Sequence, residues 1–429
     1  MISLRLSDNN IVQLFASYDR FIYFLLAIAW LVLVNSLMIA DVWDETNALV
    51  ILSSELISSA GLLEAAKIFW LQELPLDIYR PLGSSFFIIL AKLSAGNFIF
   101  LRFVNAAFIL AAAVLFAQVL DQKGDKKARA LTFYTIFLFS SSALITTSWF
   151  ANIFDASCLF FIALATKAYS GKNYALCGIS MVLAIFCKEA YVLSIPFLML
   201  AVYQAKDTNI KAIVAVSITL IVFSAIYWLA RQSVAPLGSD ADIHGFSADT
   251  VVSSSLSLFA GFWFQFSKFT PSSPILWIGV GAVILSIVGL KSTASRTAIV
   301  AMYLMAAVIY WGMFSYQGEN VITAHNFVAR LYLIPFVLAL YLICREANRP
   351  TILIVAALSI WGFGETYNDH KIFQTTYLEL YEIAQQTEGQ TLVHYPEKTL
   401  VDTNRNLLIG DFPDASLVIN PLTGAIERR

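Results

Sequence analysis

Apolar runs of about 20 residues, the length that crosses a bilayer as a helix, recur along most of the chain and are separated by short polar loops. The pattern predicts an all-α polytopic protein with about eleven spans. They fall at 21–40, 98–120, 130–148, 153–170, 173–187, 190–204, 211–230, part of 256–290, 297–316, 329–345 and 350–365. The stretch 173–204 reads as two short helices broken at Cys187-Lys188-Glu189. The stretch 256–274 either spans or lies flat in the interface, because its run LFAGFWFQFSKF is apolar but short. Between the first two spans, LVILSSELISSAGLLEAAKIFW (49–70) and SSFFIILAKLSAG (84–96) have helical periodicity with one apolar face, and read as amphipathic helices lying on the membrane. From 366 onward the chain turns polar, with a helix expected at 373–386. Short alternating runs (TLVHY, NLLIGDF, SLVI) and the turn signal NPLTG follow. Two units are therefore expected: a membrane domain, 1–365, whose first outer loop is 41–97, and a small soluble α+β appendage, 366–429.

Loop charge supplies an orientation. The loops QKGDKKAR (122–129), KAYSGK (167–172), QAKDTNIK (204–211), KSTASR (291–296) and CREANR (344–349) carry Lys and Arg, and they alternate with loops that carry few. Basic loops stay in the cytoplasm, so the N-terminus is expected inside and the tail outside. On the outer side this leaves Asp41, Asp44, Glu45, Arg80, Asp155, Lys188, Glu189, Arg231, His244, His325 and Arg330. Composition agrees with a bilayer partner: 59% of the 429 residues are hydrophobic and 13% charged, against about 25% charged in a soluble domain. A net charge of -2 implies no nucleic-acid partner. Cys158, Cys177, Cys187 and Cys344 lack metal-site spacing and read as small buried hydrophobes. The nine tryptophans mostly fall near span ends, where amphipathic rings settle. Phe21 to Ala40 lacks a small-residue cleavage site and reads as a signal anchor.

The chemistry-bearing residues cluster. Asp41, Asp44 and Glu45 end the first apolar run, and helical spacing would set all three on one face. Acidic groups at a helix C-terminus oppose its dipole, so stability does not account for them. A carboxylate there can serve as general base. The three together could also hold a divalent cation, but no spacing demands one, and no cofactor is required. DIYRPLGS (77–84) follows, then ANIFDA (151–156), FCKEAYVLSIP (186–196) and HNFVARLYLIP (325–335). Each admits a plain reading as well. Arg80 and Arg330 would anchor the interface by snorkelling, Asp155 would cap a helix, and Lys188 and Glu189 would neutralise each other.

Taken in order, these motifs resemble the GT-C-type membrane glycosyltransferases, especially the protein O-mannosyltransferase branch. VWDETN (42–47) is similar to the aromatic-Asp-Glu motif that ends their first span, and DIYRPLGS to the motif that closes their first outer loop. ANIFDA is similar to their Asp-bearing turn, FCKEAYVLSIP to their Lys-Glu turn, and HNFVARLYLIP to the Arg-x-Tyr-x-x-Pro entry of a late span. The likeness covers roughly 20–200, is weaker at 320–340 and is absent from the tail.

The resemblance implies transfer of a hexosyl or pentosyl group from a polyprenyl-phosphate donor to the hydroxyl of a lipid-linked glycan, lipid or protein. The reaction would occur outside the cytoplasm: at the periplasmic face of a bacterial inner membrane, or in the endoplasmic reticulum lumen of a eukaryote. Asp44 would be the base, with Glu45 and Asp41 supporting it. Arg80, Lys188 and Arg330 would hold the donor phosphate, and Tyr79, Asp155, Glu189, His325 and Tyr332 would assist. The rival expectations are a secondary transporter or lipid flippase with an outward-facing polar site, and a non-catalytic membrane scaffold.

Overall fold

A computed structural model describes residues 8–35, 55–71, 79–93, 98–122, 126–148, 152–188, 210–234, 261–264, 274–317, 325–386, 392–394, 417–419 and 426–428, with the backbone alone at some of them, 8–20, 308–317 and 325–331 included. The helices are α1 (Asp8–Asn35), α2 (Glu55–Ser58), α3 (Leu62–Leu71), α4 (Pro81–Leu93), α5 (Phe98–Leu120), α6 (Lys127–Leu138) and α7 (Ser141–Ser148). They continue with α8 (Ile153–Ser170), α9 (Tyr174–Cys187), α10 (Ile210–Val234), α11 (Pro274–Val288), α12 (Thr293–Gln317), α13 (His325–Glu346) and α14 (Arg349–Gln386). A helix lies on every expected span except 190–204, which is outside the described residues. Among the described residues, α5 from Arg102 and α8 are long and apolar enough to cross a membrane. The bent pair α6–α7 counts as a third if it forms one span. Phe21–Asn35, Pro81–Leu93, Tyr174–Cys187 and Pro274–Val288 are shorter apolar helices.

The core forms where α5, α8 and α9 pack side by side and α13 closes over α6, α7 and α12. Phe116 of α5 meets Phe133 of α6 and Tyr341 of α13, at ring separations of 5.8 and 5.9 Å. Every residue of α7 is buried. The predicted single span 130–148 is instead bent by 52° between α6 and α7. Two of its hydroxyls bond back to the preceding turn: Ser140 donates to the Phe137 carbonyl (2.7 Å) and Thr147 to that of Ala143 (2.9 Å). These bonds satisfy both side chains inside an apolar bundle and favour bending. Four further features depart from the sequence pattern. Residues 261–264, left open between a span and an interfacial segment, are a helical turn with Phe262, Trp263 and Phe264 buried in the core. Trp30 and Trp263 are fully buried, whereas Trp70, Trp228, Trp277 and Trp361 are exposed as an interfacial ring would be. The composition change at 366 falls inside α14, which runs unbroken for 38 residues because no proline interrupts it. In the tail, β1 (Leu392–His394) pairs parallel with β2 (Leu417–Ile419), which pairs antiparallel with β3 (Ile426–Arg428). The strand expected at NLLIGDF lies outside the described residues, and the pattern does not announce β3.

Four of the five basic loops gather at one end of the bundle; QAKDTNIK lies mostly outside the described residues. Gln122 after α5 donates to the Ser170 carbonyl at the end of α8 (3.0 Å). Arg129 donates to the carbonyls of Cys344 (3.0 Å) and Ala347 (3.1 Å), capping the end of α13. Ser292 donates to Glu346 (3.1 Å). The starts of α5 and α8 and the end of α9 therefore face the opposite end. All four cysteines are buried, and none forms a disulfide among the described residues.

Candidate functional site

The corner away from the basic loops is built on the Tyr79-Arg80-Pro81 turn. Proline at the first helical position starts α4, and the residue before it is held extended. The Arg80 carbonyl accepts the first helical bond, from the Ser84 amide (2.8 Å). Three side chains then fix the turn. Ser85 donates to the Pro81 carbonyl (2.6 Å), the Trp70 indole donates to Ser85 (3.0 Å), and the Tyr79 hydroxyl donates to the Trp70 carbonyl (3.4 Å). Burial pushes the Tyr79 phenol above its ordinary value of 10.0, so it stays protonated and able to donate. Below the turn, α3 and α4 share a small core of Ala65, Ile68, Phe69, Phe87, Ile88 and Ala91 with Ile153 of α8. The apolar face expected to rest on lipid is thus partly turned onto a neighbouring helix. Lys92 locks the arrangement by donating to the carbonyls of Ile57 (2.6 Å) and Ala60 (2.8 Å).

Gly83 brings this turn against two other motifs. A Cβ there would overlap the Phe154 ring and stand 3.0 Å from the Cys187 carbonyl. Only glycine lets α4 approach the start of α8 and the end of α9 this closely. The Arg80 guanidinium carbon lies 5.6 Å from the centroid of the Phe154 ring, a cation–π contact. Next to Phe154, Asp155 receives Lys188 on both carboxylate oxygens, at 2.5 and 2.6 Å. Their side chains are 3% and 7% exposed. Asp155 sits in the first turn of α8, where the helix dipole favours an anion. Lys188 leaves α9 in extended conformation, which turns its side chain across to α8. Asp155 is accordingly not the cap expected of it: Asn152 holds that position, and donates to the Ile145 carbonyl (3.0 Å). The partner of Lys188 is Asp155, 33 residues earlier in the chain, where the plain sequence reading gave it Glu189.

A third element closes the corner from the side. Tyr227 of α10 donates a hydrogen bond to the Tyr79 carbonyl. Its ring packs 5.6 Å from Tyr79 and 5.8 Å from Phe186, the residue that begins the Lys-Glu motif. The aromatics Trp70, Tyr79, Phe154, Phe186 and Tyr227 therefore line the contacts that join the Arg80 turn to the start of α8 and the end of α9, which carry Asp155 and Lys188.

Arg80, Tyr79, Asp155 and Lys188 are thus brought together from motifs far apart in sequence. Tyr332 is not part of this set of contacts: it is buried in the main core, edge-on to Phe262 at 5.9 Å. Asp41, Asp44, Glu45, Glu189 and His244 lie outside the described residues. His325 opens α13 and Arg330 lies in its second turn, but their side chains are outside the described residues. Among the described residues no group of three or more His, Cys, Asp or Glu side chains is arranged to hold a metal. Sequence reasoning passed over Arg102 and Asn105, both fully buried near the start of α5. Asn105 donates to the Thr146 carbonyl (3.3 Å) and with Asn152 satisfies the last turn of α7. A charged residue inside an otherwise apolar span was the available signal for Arg102.

Compared with protein-family models, with curated proteins and with solved structures, the chain matches none.

Proposed function

We propose that the chain is an integral-membrane glycosyltransferase of GT-C type. It moves a hexosyl or pentosyl group from a polyprenyl-phosphate donor to an acceptor hydroxyl on a glycan, lipid or protein. One observation carries the reading: the Arg80 turn, Asp155 and Lys188, from motifs spread over more than a hundred residues, meet at the end of the bundle opposite the basic loops. A structural protein has no need to hold an arginine at a rigid Pro-Gly turn beside an ion pair buried at the same corner. A lipid phosphate does need fixed cationic donors, and guanidinium offers a planar fork to its oxygens.

In the proposed reaction the acceptor oxygen attacks the anomeric carbon, and its proton passes to the Asp44 carboxylate. The bond from that carbon to the phosphate oxygen breaks in the same step. The leaving polyprenyl phosphate carries the electron pair away, and Arg80 stabilises its growing charge. One displacement inverts the anomeric centre. Lys188 presents its charge from a seat fixed by Asp155, with Tyr79 holding the turn; Arg330, Glu45 and Asp41 complete the set. The isoprenoid tail lies in an apolar groove. One of about 590 Å³ between α1, α5 and α8, lined by Tyr23, Ala27, Leu110, Val114 and Phe160, has the required character. About eleven spans carry the site, with 366–429 as an appendage, and the site faces the periplasm or, in a eukaryote, the endoplasmic reticulum lumen.

The break between α6 and α7 favours a second reading, a transporter or flippase, since such proteins bind at broken helices. Against it, the hydroxyls of Ser140, Thr147 and Ser148 bond to their own backbone rather than lining a path. The deciding experiment incubates the purified full chain with a panel of polyprenyl-phosphate sugars and acceptor lipids, read by mass spectrometry. A new glycoside and free polyprenyl phosphate support transfer. Absence of product from every donor, with sugar-lipid translocated across vesicles instead, establishes the second reading.

A further inference from the structure

We infer that Arg231 is a second guanidinium of the donor-phosphate site, set opposite Arg80 by the contact between Tyr227 and the Tyr79 carbonyl. The inference rests on the proposed phosphate site and deepens it. Arg231 belongs to the last turn of α10 and is half-buried. It stands four residues after Tyr227, hence one helical turn further along the same face. Tyr227 fixes that face. Its hydroxyl is bonded to the carbonyl of the residue preceding Arg80, and its ring packs on Tyr79 and on Phe186, two residues before Lys188. The face carrying Arg231 therefore extends from the junction of the arginine turn and the lysine turn.

Charge strengthens the case. The described part of the corner holds Arg80, Lys188 and Arg231 against Asp155, which is itself engaged by Lys188. A helix C-terminus accommodates one arginine through its dipole, which accounts for a cation on α10 but not for its place one turn beyond the Tyr227 ring that packs on Tyr79 and Phe186. Two planar forks approaching from α4 and α10 suit a phosphate monoester with several free oxygens. Tyr227 acts as a positioning residue: it holds α10 against the turn.

The test uses the full chain in nanodiscs and measures binding of a polyprenyl phosphate and of the matching uncharged polyprenol. Their affinity ratio cancels losses from general misfolding. Wild type is expected to prefer the phosphate. Arg231→Gln should lower the ratio by about tenfold or more, the scale of one charge-assisted hydrogen bond. Arg231→Lys should fall between the two, keeping the charge and losing the fork. Tyr227→Phe should lower the ratio less than Arg231→Gln while leaving polyprenol binding unchanged. An Arg231→Gln protein with the wild-type ratio overturns the inference and leaves the Arg80 site standing. A wild-type protein that does not distinguish phosphate from alcohol overturns the proposed function along with it.

Discussion

Removing one charge of the Asp155–Lys188 pair should cost far more than removing both. The two side chains are 3% and 7% exposed, and the ammonium lies 2.5 and 2.6 Å from the carboxylate oxygens. Asp155→Asn leaves Lys188 charged without its carboxylate at a buried site, and Lys188→Met leaves the carboxylate stranded. Breaking such a pair from one side costs about 3–5 kcal/mol, because the desolvation of the surviving ion is no longer offset. Replacing both by residues of similar volume, Asp155→Leu with Lys188→Met, returns most of that loss, since neither ion then needs compensation. In a double-mutant cycle of Asp155→Leu and Lys188→Met, the coupling should therefore exceed about 3 kcal/mol in favour of the double variant. The assay is denaturant unfolding of the detergent-solubilised chain, followed by the near-ultraviolet signal of its tryptophans. Single variants that each lose less than about 1 kcal/mol, and add without coupling, would refute a buried, mutually dependent pair. Activity separates structure from chemistry: a stable double variant that has lost transfer shows that the lysine charge is used on the donor.

Asp44→Asn should abolish transfer while expression, melting temperature and donor binding stay at wild-type values; surviving activity removes Asp44 as the base. Arg80→Lys should raise the apparent KM for the polyprenyl-phosphate donor more than that for the acceptor, and equal changes would argue against a phosphate contact. Gly362→Ala should destabilise the bundle by about 1–3 kcal/mol, because the added methyl would overlap the Phe264 carbonyl; unchanged unfolding would show that 261–264 does not seat there.

The helices were legible because apolar runs of spanning length leave few alternatives once the intervening loops are polar. The α5 bounds, Phe98–Leu120, coincide with the run read from the sequence. The bend between α6 and α7 was not legible: Phe139-Ser140 contains no proline or glycine, and the bend follows from how the two segments pack. The buried seat of 261–264 depends on a glycine about a hundred residues later, a pairing that periodicity cannot carry. At the site, the charges themselves were legible because the bilayer penalises them. Their partners were not. Lys188 stands beside Glu189 in sequence but reaches back to Asp155, and Tyr227 looked like one more aromatic in an apolar run. Arg102 was hidden by the strong hydropathy of the span around it.

The seat formed by Gly362 has a bearing on how the protein comes to be made. Trp263 and Phe264 leave the ribosome well before α14 exists to receive them. Their carbonyls are held in the finished bundle by Ser359 of α14 (3.3 Å) and Ser141 of α7 (3.3 Å). Until α14 is made and packs, this aromatic turn has only half of its lodging, so the nascent chain must wait, partly assembled, for that helix to lock the interior.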